Sequence, residues 1–227
     1  MNRLAVGLGF WASLIAALSL IVFTACFTII VLTQDAVAWT NTTTYLEEIS
    51  NHNPIFKYLA QAAMLVFGLS YLMILHSINA MVFTGRKIYS RLGISFGILF
   101  VLLISINYFL QLTYVRFGIQ SGTEEGLAQW IMFNPNSVSL SLAMLGWTFM
   151  FGLSSFFTAF VFQARGIDRT IRNLFLLNGI FCFIGGIGFL AQNIFLINLG
   201  VNVGMGGIMT LLTIVLTFYY YQERKYL

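Results

Sequence analysis

Six apolar runs, at roughly residues 6–33, 57–83, 92–115, 140–163, 173–193 and 202–221, leave this chain of 227 residues few ways to fold. Each is about as long as, or longer than, the ~20 residues a helix needs to cross a hydrocarbon core. Lipid offers no hydrogen bonds, so a segment this uniformly apolar must satisfy its own backbone N–H and C=O groups as a helix. The spacing predicts an all-α, six-helix membrane bundle forming a single domain over residues 1–227.

Composition agrees with that reading. Hydrophobic residues make up 59% of the chain and charged residues only 8%, against about 25% charged in an ordinary soluble domain. Membrane lipid is therefore the expected solvent and partner. The net charge of +4 sits in short connectors, which argues against a nucleic-acid partner.

The order of the charges predicts an orientation. Of the 11 Lys and Arg residues, all but Lys57 and Arg116 fall at Arg3, at Arg86, Lys87 and Arg91, at Arg165, Arg169 and Arg172, and at Arg224 and Lys225. These are the N-terminal flank, alternate gaps between runs, and the C-terminal flank. Basic connectors stay on the cytoplasmic side of a membrane, so both termini are expected in the cytoplasm. The two far-side loops, 34–56 and 116–139, each combine turn formers with a short amphipathic patch and are expected to lay helical turns on the membrane surface. The first apolar run is about twice the length of a signal-peptide core, which predicts an uncleaved helix.

Several chemistries find little support in this pattern. No acidic residue lies deep within an apolar run, which argues against a carboxylate proton relay. No lysine occupies a run's centre, so a Schiff-base lysine is excluded. Cys26 and Cys182 both fall inside runs and read as small buried apolar residues. Spacings such as HExxH are absent, and no metal or cofactor is expected.

Polar side chains inside the runs cluster at two depths. In the outer half, Asn107 and Gln111 stand four residues apart below Arg116, with Gln61 and the pair Gln192 and Asn193 at similar depth. Together with Glu124 and Glu125 in the loop, these define the candidate ligand site, the alternative being interhelical hydrogen bonds and an ordinary loop salt bridge. Arg116 would recognise an anionic head, being always charged and able to make forked hydrogen bonds, or pair with either glutamate. In the inner half, His76 and Asn79 of the second run and Asn178 of the fifth form a secondary polar cluster. A neutral imidazole needs both a donor and an acceptor, so His76 is expected to face the bundle. Gly93 and Gly97, Gly200 and Gly204, and the run Gly185, Gly186 and Gly188 predict close helix approaches.

The segment Tyr108-Phe109-Leu110-Gln111-Leu112-Thr113-Tyr114-Val115-Arg116, followed by Gly122-Thr123-Glu124-Glu125-Gly126-Leu127 and Asn134-Pro135, resembles a group of uncharacterised bacterial six-span integral membrane proteins. That group pairs a YF-Q-T-V-R helix end with a G-E-EGL loop, an NP turn and a helix closing in a small-residue–Val–Phe pattern, to which Ala159-Phe160-Val161-Phe162 is loosely similar. The likeness covers roughly residues 105–165 and departs from the pattern where Gly-Thr-Glu-Glu-Gly replaces an immediate Gly-Glu. It implies the topology above and a bacterial cytoplasmic membrane, and it implies no activity. The leading functional expectation is binding or transport of a small amphipathic or lipid-like molecule. The alternatives are an accessory or assembly subunit of a larger membrane complex with no site of its own, and an intramembrane lipid-modifying enzyme; a membrane protein partner or a homo-oligomer is a further expectation.

Overall fold

The computed structural model describes residues 3–33, 39–50, 53–123 and 125–225, and all regular secondary structure among them is helical. Six helices are long and apolar enough to cross a membrane: α1 (Arg3–Thr33), α3 (Ile55–Met81), α4 (Thr84–Ser121), α5 (Val138–Ala159), α6 (Gly166–Leu190) and α7 (Ile194–Lys225). A short α2 (Thr42–Ser50) lies between α1 and α3. Most of these helices overrun their apolar cores. The 38 residues of α4 would span about 57 Å at 1.5 Å per residue, so its ends stand outside the hydrocarbon. Long basic side chains such as Arg86 and Lys87 can tolerate that boundary because their heads reach water while their stems cover apolar surface.

The spans run alternately up and down and close into a ring. α1 packs between α3 and α7, and α3, α4, α5, α6 and α7 each pack against the next. One end of the ring carries the arginine-rich turns, and the other carries the two longer loops. Glycine sets the closest approaches. A Cβ on Gly9 of α1 would stand 2.3 Å from the Tyr220 ring of α7 and 2.4 Å from Ser77 Oγ of α3. A Cβ on Gly200 would stand 2.4 Å from the Gly185 Cα, so α6 and α7 cross backbone to backbone there. Such contacts replace the hydrophobic drive that is missing between helices in lipid.

Aromatic rings fill the middle of the α3–α4–α5 side. Phe67 and Tyr71 of α3, Phe100 of α4, and Trp147 and Phe151 of α5 are all buried. Phe100 stacks on Phe151 at 4.5 Å between centroids and meets Trp147 edge-on at 4.9 Å. Tyr71 Oη and Ser154 Oγ are 2.9 Å apart, and Ser154 donates its one proton to the Gly93 carbonyl at 2.7 Å. Tyr71 must therefore donate to Ser154, which links α3, α4 and α5 through one hydroxyl.

Three spans contain a π-helical stretch towards the loop-rich end: Gln111–Val115 in α4, Leu145–Met150 in α5 and Leu199–Ile208 in α7. Such stretches shift the register of the side chains beyond them. The two far-side loops do form helical turns, at α2 and at Leu127–Gln129. They pack on each other instead of lying separately on the membrane. Tyr45, Val115, Leu127 and Ile131 are buried in a small second core with Trp39, Leu46, Ile49 and Trp130 around it. This cap covers the loop-rich end of α4.

Candidate functional site

At the loop-rich end, Asn53 and Pro54 start α3: Asn53 Oδ1 accepts from the Ile55 N–H at 3.1 Å, and proline fits a helix start because its missing N–H has no intrahelical partner there. The first turns of α3 then present Lys57, Tyr58 and Gln61. Lys57 is half-buried; its Nζ donates to Tyr45 Oη at 3.3 Å and lies 5.2 Å from the Phe133 ring centroid. The π-helical stretch of α4 ends at Arg116, whose guanidinium carbon stands 5.2 Å over the Tyr58 ring and 5.9 Å from that of Phe117. Both cations are thus held against aromatic faces, a contact worth ~0.5–2 kcal/mol depending on desolvation. Neither forms an ion pair among the described residues. Burial, with neighbouring Tyr58 adding to it, pushes the Tyr45 phenol above its ordinary value.

Two polar atoms in this group have no partner. Arg116 Nε is buried without a hydrogen bond, and so is Oε1 of Gln61, a residue only 5% exposed. Gln61 lies three residues beyond Tyr58 and shares its side of α3. The orphaned donor is thus on the arginine that covers Tyr58, and the orphaned acceptor is on the residue one turn further along the same side of α3.

The other predicted site residues are distributed differently. Asn107 and Gln111 come together, but the 130–139 loop closes over them. Ser139 Oγ donates to Asn107 Oδ1 and accepts from Gln111 Nε2 at 3.0 Å; Gln111 Nε2 also donates to the Trp130 carbonyl, and Asn107 Nδ2 to Met132 Sδ at 3.2 Å. These amides pin the cap and do not line an open cavity. Ser139 was the residue missed by sequence reasoning, although the serines of Ser137-Val138-Ser139 mark a helix start there. Ser137 Oγ caps α5 by accepting from the Leu140 N–H at 3.0 Å, and Asn134 organises the preceding turn by accepting from the Asn136 N–H.

Gln192 and Asn193 are exposed and stand at the α6–α7 turn, on the side of the ring away from the α3–α4 pair. Gln192 has φ 53° and Asn193 N–H donates to the Gly188 carbonyl at 2.8 Å, while Asn193 Oδ1 accepts from the Leu196 N–H. They end one helix and start the next: the Asn193 side chain is spent on the turn, while the Gln192 side chain stands exposed at it. Glu125 is exposed, and Arg116 faces Tyr58 instead of it; Glu124 lies outside the described residues.

The secondary cluster does not assemble. His76 is exposed on the outward stripe of α3 with Leu69 and Met73, correcting the expectation that it faces the bundle. Helical spacing decides this: positions 69, 73 and 76 share one face, and that face has no neighbour in the ring. Asn79 is half-buried with an unpartnered Oδ1. Asn178 is fully buried between α6 and α5, donating to Ser155 Oγ at 2.8 Å. Among the described residues, no three His, Cys, Asp or Glu side chains gather where they could hold a metal ion. Along the helices, the five aromatic rings of the core lie between the polar groups of the arginine-rich end and those of the loop-rich end.

Comparison with protein-family models, with curated proteins and with solved structures gives no match to this chain. The reading of its function therefore rests on the residues themselves.

Proposed function

We propose that this protein is an integral membrane protein that binds a small amphipathic molecule with an anionic head at the loop-rich end of the bundle. In this reading the arginine-rich end lies in the cytoplasm, as the basic connectors favour, and the membrane is a bacterial cytoplasmic one. The observation that carries it is the pair of unpartnered buried atoms, Arg116 Nε and Gln61 Oε1. An unmade buried hydrogen bond costs about 1–3 kcal/mol, and one ligand relieves both costs if its oxyanion meets Arg116 and an adjacent hydroxyl or N–H meets Gln61. Lys57 adds a second cation close by, and α2 with its partner loop roofs the group. The filled aromatic level below favours binding over passage through the bundle.

The test is native mass spectrometry of protein purified from membranes, comparing wild type with Arg116→Ala and Gln61→Leu. A bound amphiphile retained by wild type and lost from both variants supports the reading. Identical spectra for all three, with or without a bound mass, sink it.

A second reading, docking against a membrane partner or a second copy, is favoured by His76 alone. An imidazole on an otherwise apolar outward stripe gains a hydrogen-bond partner if another helix covers it. Cysteine cross-linking from Met73→Cys in native membranes distinguishes the two, since ligand binding alone gives no cross-linked species.

A further inference from the structure

The arginine-rich end holds a cleft of about 140 Å³ between the C-terminal end of α3, the exit of α5, the first turn of α6 and the last turns of α7. Its wall is part apolar, with Val82, Phe83 and Phe162, and part polar, and Phe83 stands 75% exposed at its edge. Two charges of opposite sign, Arg86 and Asp168, line the same cleft.

These charges do not close on each other. Arg86 Nη1 donates to the Val161 carbonyl at 3.1 Å, satisfying a C=O just past the end of α5. Asp168 Oδ2 accepts from the Gln163 N–H at 3.3 Å and lies in the first turn of α6, where the helix dipole favours a carboxylate. Both side chains are half-buried, and neither belongs to an ion pair among the described residues. Each is tethered by its own backbone contact, so the cleft keeps a cation and an anion apart in a setting poorer in water than the open surface. A wholly anionic ligand would meet repulsion from Asp168, and a wholly cationic one from Arg86.

We infer that this cleft binds a zwitterionic headgroup carrying a phosphate and a primary ammonium, with the phosphate on Arg86 and the ammonium on Asp168. A primary ammonium donates hydrogen bonds to a carboxylate, which a quaternary ammonium cannot do. The volume suits a headgroup and not a whole lipid, leaving acyl chains to run outward past Phe83. The site is at the opposite end of the bundle from Arg116 and stands whether or not that group binds a ligand.

The test uses the full chain in detergent with equimolar phosphatidylethanolamine, phosphatidylcholine and phosphatidylglycerol, read by native mass spectrometry. Wild type is expected to retain phosphatidylethanolamine at least ~5-fold over the other two. Asp168→Asn keeps an oxygen for the Gln163 N–H and is expected to lose that preference while still binding lipid. Arg86→Ala is expected to lose the preference too, and Arg86→Lys, which keeps the charge, guards against a folding defect by retaining part of it. Displacement of the bound lipid by millimolar phosphoethanolamine would assign recognition to the headgroup alone, and retention would assign it to the intact lipid. A wild type without headgroup preference, or an Asp168→Asn variant with the wild-type preference, overturns the inference.

Discussion

Gln111 donates through Nε2 to Ser139 Oγ at 3.0 Å, so a buried amide of α4 holds the first turn of α5 and the loop that precedes it. Because Ser139 passes its own proton to Asn107, the three side chains form one chain of bonds. Removing the middle member orphans both ends. Ser139→Ala is expected to cost about 1–3 kcal/mol, seen as a lower melting temperature in detergent and faster proteolysis of the 125–137 loop. His76→Ala, on the outward face of α3, is expected to change the same readouts by much less.

Glycine at the α6–α7 crossing is required by backbone, not by side chains. A methyl on Gly200 would stand 2.4 Å from the Gly185 Cα and 2.7 Å from the Phe181 carbonyl oxygen, and neither can rotate away. Gly200→Ala is expected to destabilise by ~1–3 kcal/mol or more. Gly7→Ala in α1 meets nothing within 4 Å, so it is expected to be neutral or stabilising by up to ~1 kcal/mol. Paired thermal melts of the two variants check the contrast.

Gln192 is the one non-glycine residue with positive φ among those described, in the turn that ends α6. A left-handed backbone costs an L-residue with a Cβ ~1–2 kcal/mol. Gln192→Gly is expected to hold or raise the melting temperature, and Gln192→Val, with a β-branched side chain, to lower it. Lipid binding should be unchanged in Gln192→Gly, because this exposed side chain stands at the α6–α7 turn, away from Arg116 and Gln61.

The buried Tyr45 phenol, raised above its ordinary value, predicts alkaline sensitivity of the cap. A group whose folded value is raised contributes stability that is complete below its unfolded value, about 10 for tyrosine. That contribution is lost as pH rises beyond it, since the unfolded form ionises first. The cap is therefore expected to loosen above about pH 10. Trp39, 5.3 Å from the Tyr45 ring, should report this as a fluorescence change. Tyr45→Phe keeps the packing, removes the Lys57 hydrogen bond, and is expected to lose this part of the alkaline transition.

Much of the architecture was legible in the chain because lipid imposes a one-dimensional rule. Apolar length marks a span regardless of what it packs against, and the six runs became α1, α3, α4, α5, α6 and α7. The glycine pattern was legible for a similar reason: Gly185 and Gly200 have one common use between apolar helices, and they meet. The roles of the site's polar residues were not legible: Gln61 and Arg116 carry unsatisfied buried atoms, whereas Asn107 and Gln111 are taken by the loop and Gln192 stands exposed at a turn. Depth along a helix can be counted from residues, but the direction a polar side chain faces depends on which helix stands beside it.

Sequence by itself determined that this protein is a six-helix bundle with every arginine but Arg116 in the two termini and the connectors at one end, because hydropathy and charge act on each segment separately. Only the tertiary structure decided that His76 points outward, that the two far loops form one cap, and that Arg86 and Asp168 share a cleft without pairing. Those outcomes depend on rotation of each helix about its axis and on contacts between segments as distant as Arg86 and Val161. Packing fixes both, and neither is written in any single span.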